Sequence, residues 1–166
     1  MTTATLVYPD PITLARVSML INSKGIDPII AELDLEMVKM KLRDPEEGKG
    51  WSIEDCDYAE VEYKRFLHLN LKHRRKGIVP DKIIDTIWHY HILDTRAYHR
   101  DSEKVFGGYF HHFPYFGMRG DQDAKDLENA VGETKGLYEK EFGEPMFRGM
   151  DGSCQTNCTC TAECSS

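Results

Sequence analysis

A chain of 166 residues, 40% apolar and 30% charged, has the length and composition of one globular domain, able to bury about 68–70% of its unfolded surface without a disulfide or metal staple. Lys and Arg number 21 against 28 Asp and Glu, and the resulting net charge of −7 excludes a general nucleic-acid or anionic-membrane surface. No apolar run approaches the roughly 20 residues of a membrane span, and the opening MTTATLVYPDP lacks a basic region followed by an apolar one, so the expected compartment is the cytoplasm, where thiols stay reduced.

Residues 1–10 read as an arm. Asp10-Pro11 is a helix start, a capping carboxylate followed by proline at the first helical position, and Leu14, Val17, Leu20 and Ile21 continue it to Gly25. Asp27-Pro28 repeats that signal. Ile29, Ile30, Leu33, Leu35, Val38, Met40 and Leu42 then predict one long or two abutting helices up to Arg43, and the breakers of 44–50 predict a loop. Ser52, with Asp55 three residues on, opens a third segment whose apolar face runs from Tyr58 to Leu71; Cys56 reads as a small buried apolar residue. The basic run 72–76 reads as a solvated helix end that complements the dipole.

A further helix follows Pro80-Asp81 and holds Ile83, Ile84, Ile87, Trp88, Ile92 and Leu93. Asp94-Thr95 predicts a break and a new cap, and the next helix ends at Gly107-Gly108. Residues 109–120 form an aromatic loop pinned by Pro114, and Asp121 or Asp123 starts the last helix, which carries Ala124, Leu127, Val131, Tyr138 and Phe142. No strand pattern appears. The expected fold is all-α, a compact bundle of about five or six helices over residues 1–150, followed at 151–166 by a Cys/Ser/Thr-rich tail too polar to form a core and expected to be disordered.

Five of the seven histidines, His89, His91, His99, His111 and His112, fall between Pro80 and Gly120 beside carboxylates and phenols, the mixture that transition metals favour. On one helix, residues two apart point about 200° away from each other, so His89 and His91 cannot face one ion without a bend. Asp85 and His89 are four apart and share a face, as a ligand and its supporting carboxylate would. His91 shares its own face with Ile87, Asp94, Thr95 and Tyr98. If the chain folds back at Asp94, Tyr98, His99 and Asp101 return towards the first helix, and the loop carrying His111 and His112 closes over the same point. The expected site is therefore a transition metal (Zn, Fe or Cu) held by His89, His91, His111 or His112, and Asp85, with Tyr98 or Asp94 assisting proton transfer if it is catalytic. His68 and His73 read as packing residues, and Trp88, Phe113, Tyr115 and Phe116 as core and lid.

The run from Asp85 to Asp94, DTIWHYHILD, with Tyr98 and Asp101 after it, resembles the D-x-x-W-H-x-H-x-L-x(4)-Y-x-x-D signature of the glycine-rich domain-containing protein-like family. Bacterial members are similar further along, at Phe106-Gly107 and at His111 to Gly117, HHFPYFG. The resemblance covers residues 50–142 and implies a helical domain without an assigned reaction; the glycine-rich region that gives the family its name is absent here.

Four of the five cysteines, Cys154, Cys158, Cys160 and Cys164, lie within eleven residues. Four thiolates so spaced can wrap a soft ion such as Zn(II) or Cu(I), which in a reducing compartment is expected ahead of disulfides. Ser153, Thr156, Thr159, Thr161, Ser165 and Ser166 are interleaved with them. That mixture also suits the core of a ribosomally made, post-translationally modified peptide, with residues 1–150 as its leader, and 159–164 resembles a lantibiotic ring motif. The expected function is metal binding, with a metal-dependent redox enzyme or a peptide precursor as alternatives. The expected partners are a metal ion and either a metal-delivery protein or a modifying enzyme, with no nucleic acid and no membrane.

Overall fold

The computed structural model describes residues 25–146, and over these residues the fold is all-α. Six helices lie in this span: α1 (Pro28–Ala31), α2 (Glu36–Arg43), α3 (Ile53–Lys72), α4 (Lys82–Leu93), α5 (Thr95–Phe106) and α6 (Asp121–Phe142). The helix expected before Gly25 and the cysteine segment Cys154–Cys164 lie outside the described residues.

The caps form as their sequences dictate. Ser52 accepts from the Asp55 amide at 3.0 Å while the Asp55 carboxylate accepts from the Ser52 amide at 3.2 Å, a complete capping box. Asp81 caps α4 through the Ile84 amide at 2.7 Å, and Asp94 closes α4 and caps α5 through the Ala97 amide at 3.2 Å. Gly107 ends α5 at φ +70°, a left-handed conformation that costs glycine nothing, and its amide returns to the Glu103 carbonyl at 2.9 Å.

The segment left open in the sequence as one helix or two is two. The Lys64 ammonium donates to the carbonyls of Ala31 and Leu33 at 3.0 and 2.7 Å, satisfying groups that a continuous helix would have paired within itself. Leu33 and Leu35 both turn into the core as a result.

The centre of the fold is α3, buried on all sides from Ala59 to Leu67. Helices α1, α2 and α4 pack on it, and α5 folds back against α4. α3 runs against α4 in the opposite sense, so Phe66 meets Trp88 (ring centroids 5.0 Å) and Tyr63 meets His91 (5.8 Å). Charges that α3 carries inward are paired: Lys39 with Glu36, Asp57 and Glu60, Lys64 with Glu60, and Arg65 with Glu62. Burial alone would depress the Lys39 ammonium, yet the carboxylates around it hold it above the ordinary lysine range. α6 attaches along the far side of α3 by polar contacts: the Tyr138 hydroxyl donates to Glu62 at 2.6 Å, and Glu141 meets His68 and Lys72. None of the described helices is long and apolar enough to cross a membrane.

Candidate metal centre

The buried Asp81 cap fixes where α4 begins, and so places Asp85 in its first turn and His89 one turn later on the same face. A carboxylate in the first turn also complements the helix dipole. Trp88, beside His89, is anchored in the core: its indole N–H donates to the Tyr98 hydroxyl at 2.8 Å, and that hydroxyl donates to the Phe110 carbonyl. Phe110 stacks on Trp88 (5.1 Å, 18°) and on Phe106 (4.4 Å, 19°), which pins the start of the aromatic loop. At the loop's other end the Asp123 carboxylate accepts from the Gly117 amide at 2.7 Å and from the Arg119 guanidinium at 2.6 Å.

Between those anchors the loop lays His112 over α4. Its ring lies 4.3 Å from Trp88 and 4.6 Å from His89, and its Nε2 stands 2.9 Å from Asp85 Oδ1. The other Asp85 oxygen is 3.6 Å from His89 Nδ1. One donor atom from each of Asp85, His89 and His112 lies within 4.8 Å of the others, the one such group of three among the described residues. Ligands of a tetrahedral ion with bonds of about 2.0–2.2 Å stand about 3.3–3.6 Å apart, so side-chain adjustments of about 1 Å would bring these three onto an ion. Exposure grades across the group, with the side chain of His112 14% exposed, Asp85 36% and His89 51%, so one side faces solvent. A cation at His112 Nε2 would take the place of its hydrogen bond to Asp85, with the ring proton carried on Nδ1 instead.

His91, expected beside His89, has a different position. It is buried, with Nδ1 3.0 Å from the Tyr63 hydroxyl and Nε2 3.2 Å from Asp101 Oδ2. Burial lowers its pKa and Asp101 offsets only part of that, so the ring is neutral; Nε2–H donates to Asp101 and Nδ1 accepts from Tyr63, whose own hydroxyl burial holds well above its ordinary range. With both nitrogens engaged, no lone pair remains for a metal. The 200° separation of His89 and His91 thus puts one ring in water and the other in the core. A cavity of about 10 Å³ beside Tyr63, His91, Tyr98, Asp101 and Ser102 has room for one water at most.

The remaining candidates are dispersed. His111 is exposed, its ring 4.9 Å from Tyr109 and outside the three-donor group, and exposed His99 lies 6.1 Å from Tyr109. Tyr98 is buried with its hydroxyl bonded at both ends and its pKa pushed up to about 12 by burial, while Asp94 is exposed and occupied as a cap. Neither touches the donor group. His68 accepts from the Asp27 amide at 3.1 Å and meets Glu141 at 3.0 Å, a structural role. Phe113 and Tyr115 are 53% and 59% exposed, so they do not close over the site as a lid. Sequence reasoning missed Tyr63 as the partner of His91, because nothing in the spacing joins residues 28 apart on different helices.

Residues 32–130, more than half of the chain, match the model of the UCP032817-like family, and the chain belongs to that family. The match includes Asp85, His89 and His112. No curated protein and no solved structure matches the chain.

Proposed function

We propose that this member of the UCP032817-like family is a metal-binding protein that holds a transition-metal ion at Asp85, His89 and His112, with the four-cysteine segment 154–164 as a second source of soft-metal ligands. One observation carries the reading: two imidazoles and a carboxylate, from a helix face and an anchored loop, converge to within 4.8 Å with one side open. Imidazole with carboxylate suits zinc, iron or copper ahead of calcium or magnesium, which prefer all-oxygen shells. The kinship suggested by the DTIWHYHILD stretch belongs to the same proposal, since that stretch supplies Asp85 and His89.

The second reading is a metal-dependent redox enzyme. The donor set favours it, because two histidines and one carboxylate with open positions are the set by which non-haem iron(II) meets dioxygen. Metal content after purification, with zinc and anaerobic iron(II) titrations, tests both readings. The Asp85→Ala/His89→Ala/His112→Ala variant binds about one ion fewer than wild type, any remainder belonging to the cysteine segment, and exogenous azide or nitric oxide perturbs the iron(II) spectrum only if open positions remain. Undiminished binding in the triple variant removes the domain site.

A further inference from the structure

The segment 109–113, between the end of α5 and the turn at Pro114, alternates in exposure at every residue: Tyr109, His111 and Phe113 are exposed, while Phe110 and His112 are half-buried. A period of two is the signature of extended backbone. Ring contacts agree with it. Phe110 and His112 both lie on Trp88, at 5.1 and 4.3 Å, and on the opposite side the rings of Tyr109 and His111 stand 4.9 Å apart. The segment is therefore extended with its inner face on α4, and packing against a helix is what lets a short two-stranded ribbon persist.

Its main chain lacks partners. Among the described residues the segment's only main-chain hydrogen bond is the one that the Phe110 carbonyl accepts from the Tyr98 hydroxyl, and none of the five amides donates. In an extended chain the N–H and C=O of one residue share an edge, and those of the next take the other. The Tyr98 contact thus turns the edge of Phe110 and His112 towards α5, and the polar groups of Tyr109, His111 and Phe113 line the opposite edge. Proteins commonly blunt such an edge with charge or proline. Here no Asp, Glu, Lys or Arg occurs in the fourteen residues between Lys104 and Arg119, in a chain that is 30% charged, and Pro114 falls after the segment.

We propose that a second copy of this chain pairs with this edge, antiparallel and about a two-fold axis at His111. The segment is self-complementary in that register: Tyr109 falls opposite the partner's Phe113, and His111 opposite the partner's His111. Each is a hydrogen-bonded pair that exchanges both N–H···O=C bonds, so every polar group on the edge is satisfied. A charged foreign peptide would find no ion to pair with along this stretch, whereas a copy brings the same uncharged aromatic surface. Tyr109 is 44% exposed, Phe113 53%, Tyr115 59% and Met118 68%. At about 200 Å² for each large side chain, these groups and the strand edge offer about 500 Å² per copy. The pair then covers about 1,000 Å², the lower bound of a specific interface, with affinity on the order of micromolar. This goes beyond the metal-site reading and does not depend on it.

The test is sedimentation velocity on the full-length protein, reduced and with a chelator present so that neither disulfides nor metal join the copies. The expected mass rises with concentration from the 19.1 kDa of one chain towards twice that, half-way at about 1–100 μM. His111→Pro removes the central donor and should weaken association about tenfold or more. Tyr109→Lys/Phe113→Lys sets like charges opposite one another at both ends of the register and should abolish it, and mixing that variant with Tyr109→Glu/Phe113→Glu should restore a dimer containing one of each. Far-ultraviolet circular dichroism checks that the helices persist in every variant. In wild type, amide exchange followed by NMR should show protection that grows with concentration at Tyr109, His111 and Phe113 and does not grow at Phe110 or His112. A single-chain mass up to about 500 μM overturns the proposal. So does a dimer that the variants retain, which would use another face, and so does protection that fails to alternate along the segment.

Discussion

Replacing His91 and His89 in turn should give opposite phenotypes, although the two residues are separated by one position on α4. In His91→Leu the Tyr63 hydroxyl loses its acceptor, and Asp101 keeps only the Arg100 side chain at 2.8 Å. A buried polar group left unsatisfied costs about 1–3 kcal/mol, and here two groups are affected, the Tyr63 hydroxyl and the Asp101 carboxylate, so a loss of about 2–5 kcal/mol is expected. Against a total stability of about 5–15 kcal/mol this is a severe loss, a fall in Tm of about 10 °C. His89→Leu removes a half-exposed ring whose Asp85 contact is 3.6 Å, and stability should change by no more than about 0.5 kcal/mol. Metal affinity should reverse the order. His89→Leu removes a proposed ligand and should weaken zinc binding beyond the roughly 10–100-fold that losing an outer partner costs, while His91→Leu, where it remains folded, should bind zinc within a few-fold of wild type. Urea denaturation followed by Trp fluorescence and competitive zinc titration read the two quantities. A stable His91→Leu protein that has lost its metal would refute the assignment of core and site.

Gly117→Ala should loosen the proposed metal site at a distance. Gly117 sits at φ +89°, and a Cβ there would meet Leu127 Cδ2 at 2.5 Å, so a cost of about 1–3 kcal/mol and weaker zinc binding through displacement of His112 are expected from melts and titrations. Stability of the metal-free protein should fall on acidification below about pH 6.5. The sign follows from His91, whose folded pKa is lowered by burial: the unfolded chain takes up a proton that the folded chain refuses, so stability is complete above the ordinary histidine value and declines between it and the folded one. The groups around that ring are Tyr63, Tyr98, Asp101, Asp94 and Arg100, and urea midpoints from pH 7.5 to 5.5 should vary less in His91→Gln; equal slopes would count against the neutral ring. Cys56 is 1% exposed with its thiol pushed up to about 12 by burial, so an aromatic disulfide reagent should leave it unlabelled until the chain is denatured.

Much of the fold was legible because its signals are local. The Ser52/Asp55 box, the Asp81 and Asp94 caps and the Gly107 stop each depend on residues within one turn, and all appear where the sequence places them. The Asp85/His89 pair was legible for the same reason, since an interval of four residues fixes a shared helix face whatever the helix packs against. So was the division between His89 and His91, as an angle without a direction.

The amino-acid sequence by itself therefore determined an all-α domain, its helix ends, and the rule that adjacent histidines on α4 serve different surroundings. Tertiary structure decided which of them is buried, because that depends on the face of α4 turned towards Tyr63 and Phe66 of α3. It also chose His112 over His111, since the Phe110 stack and the Asp123 anchor set how the loop lies, and it split α1 from α2 by sending Lys64 to their carbonyls. Each of these outcomes turns on partners distant along the chain, and burial among such partners is a property that no local spacing encodes.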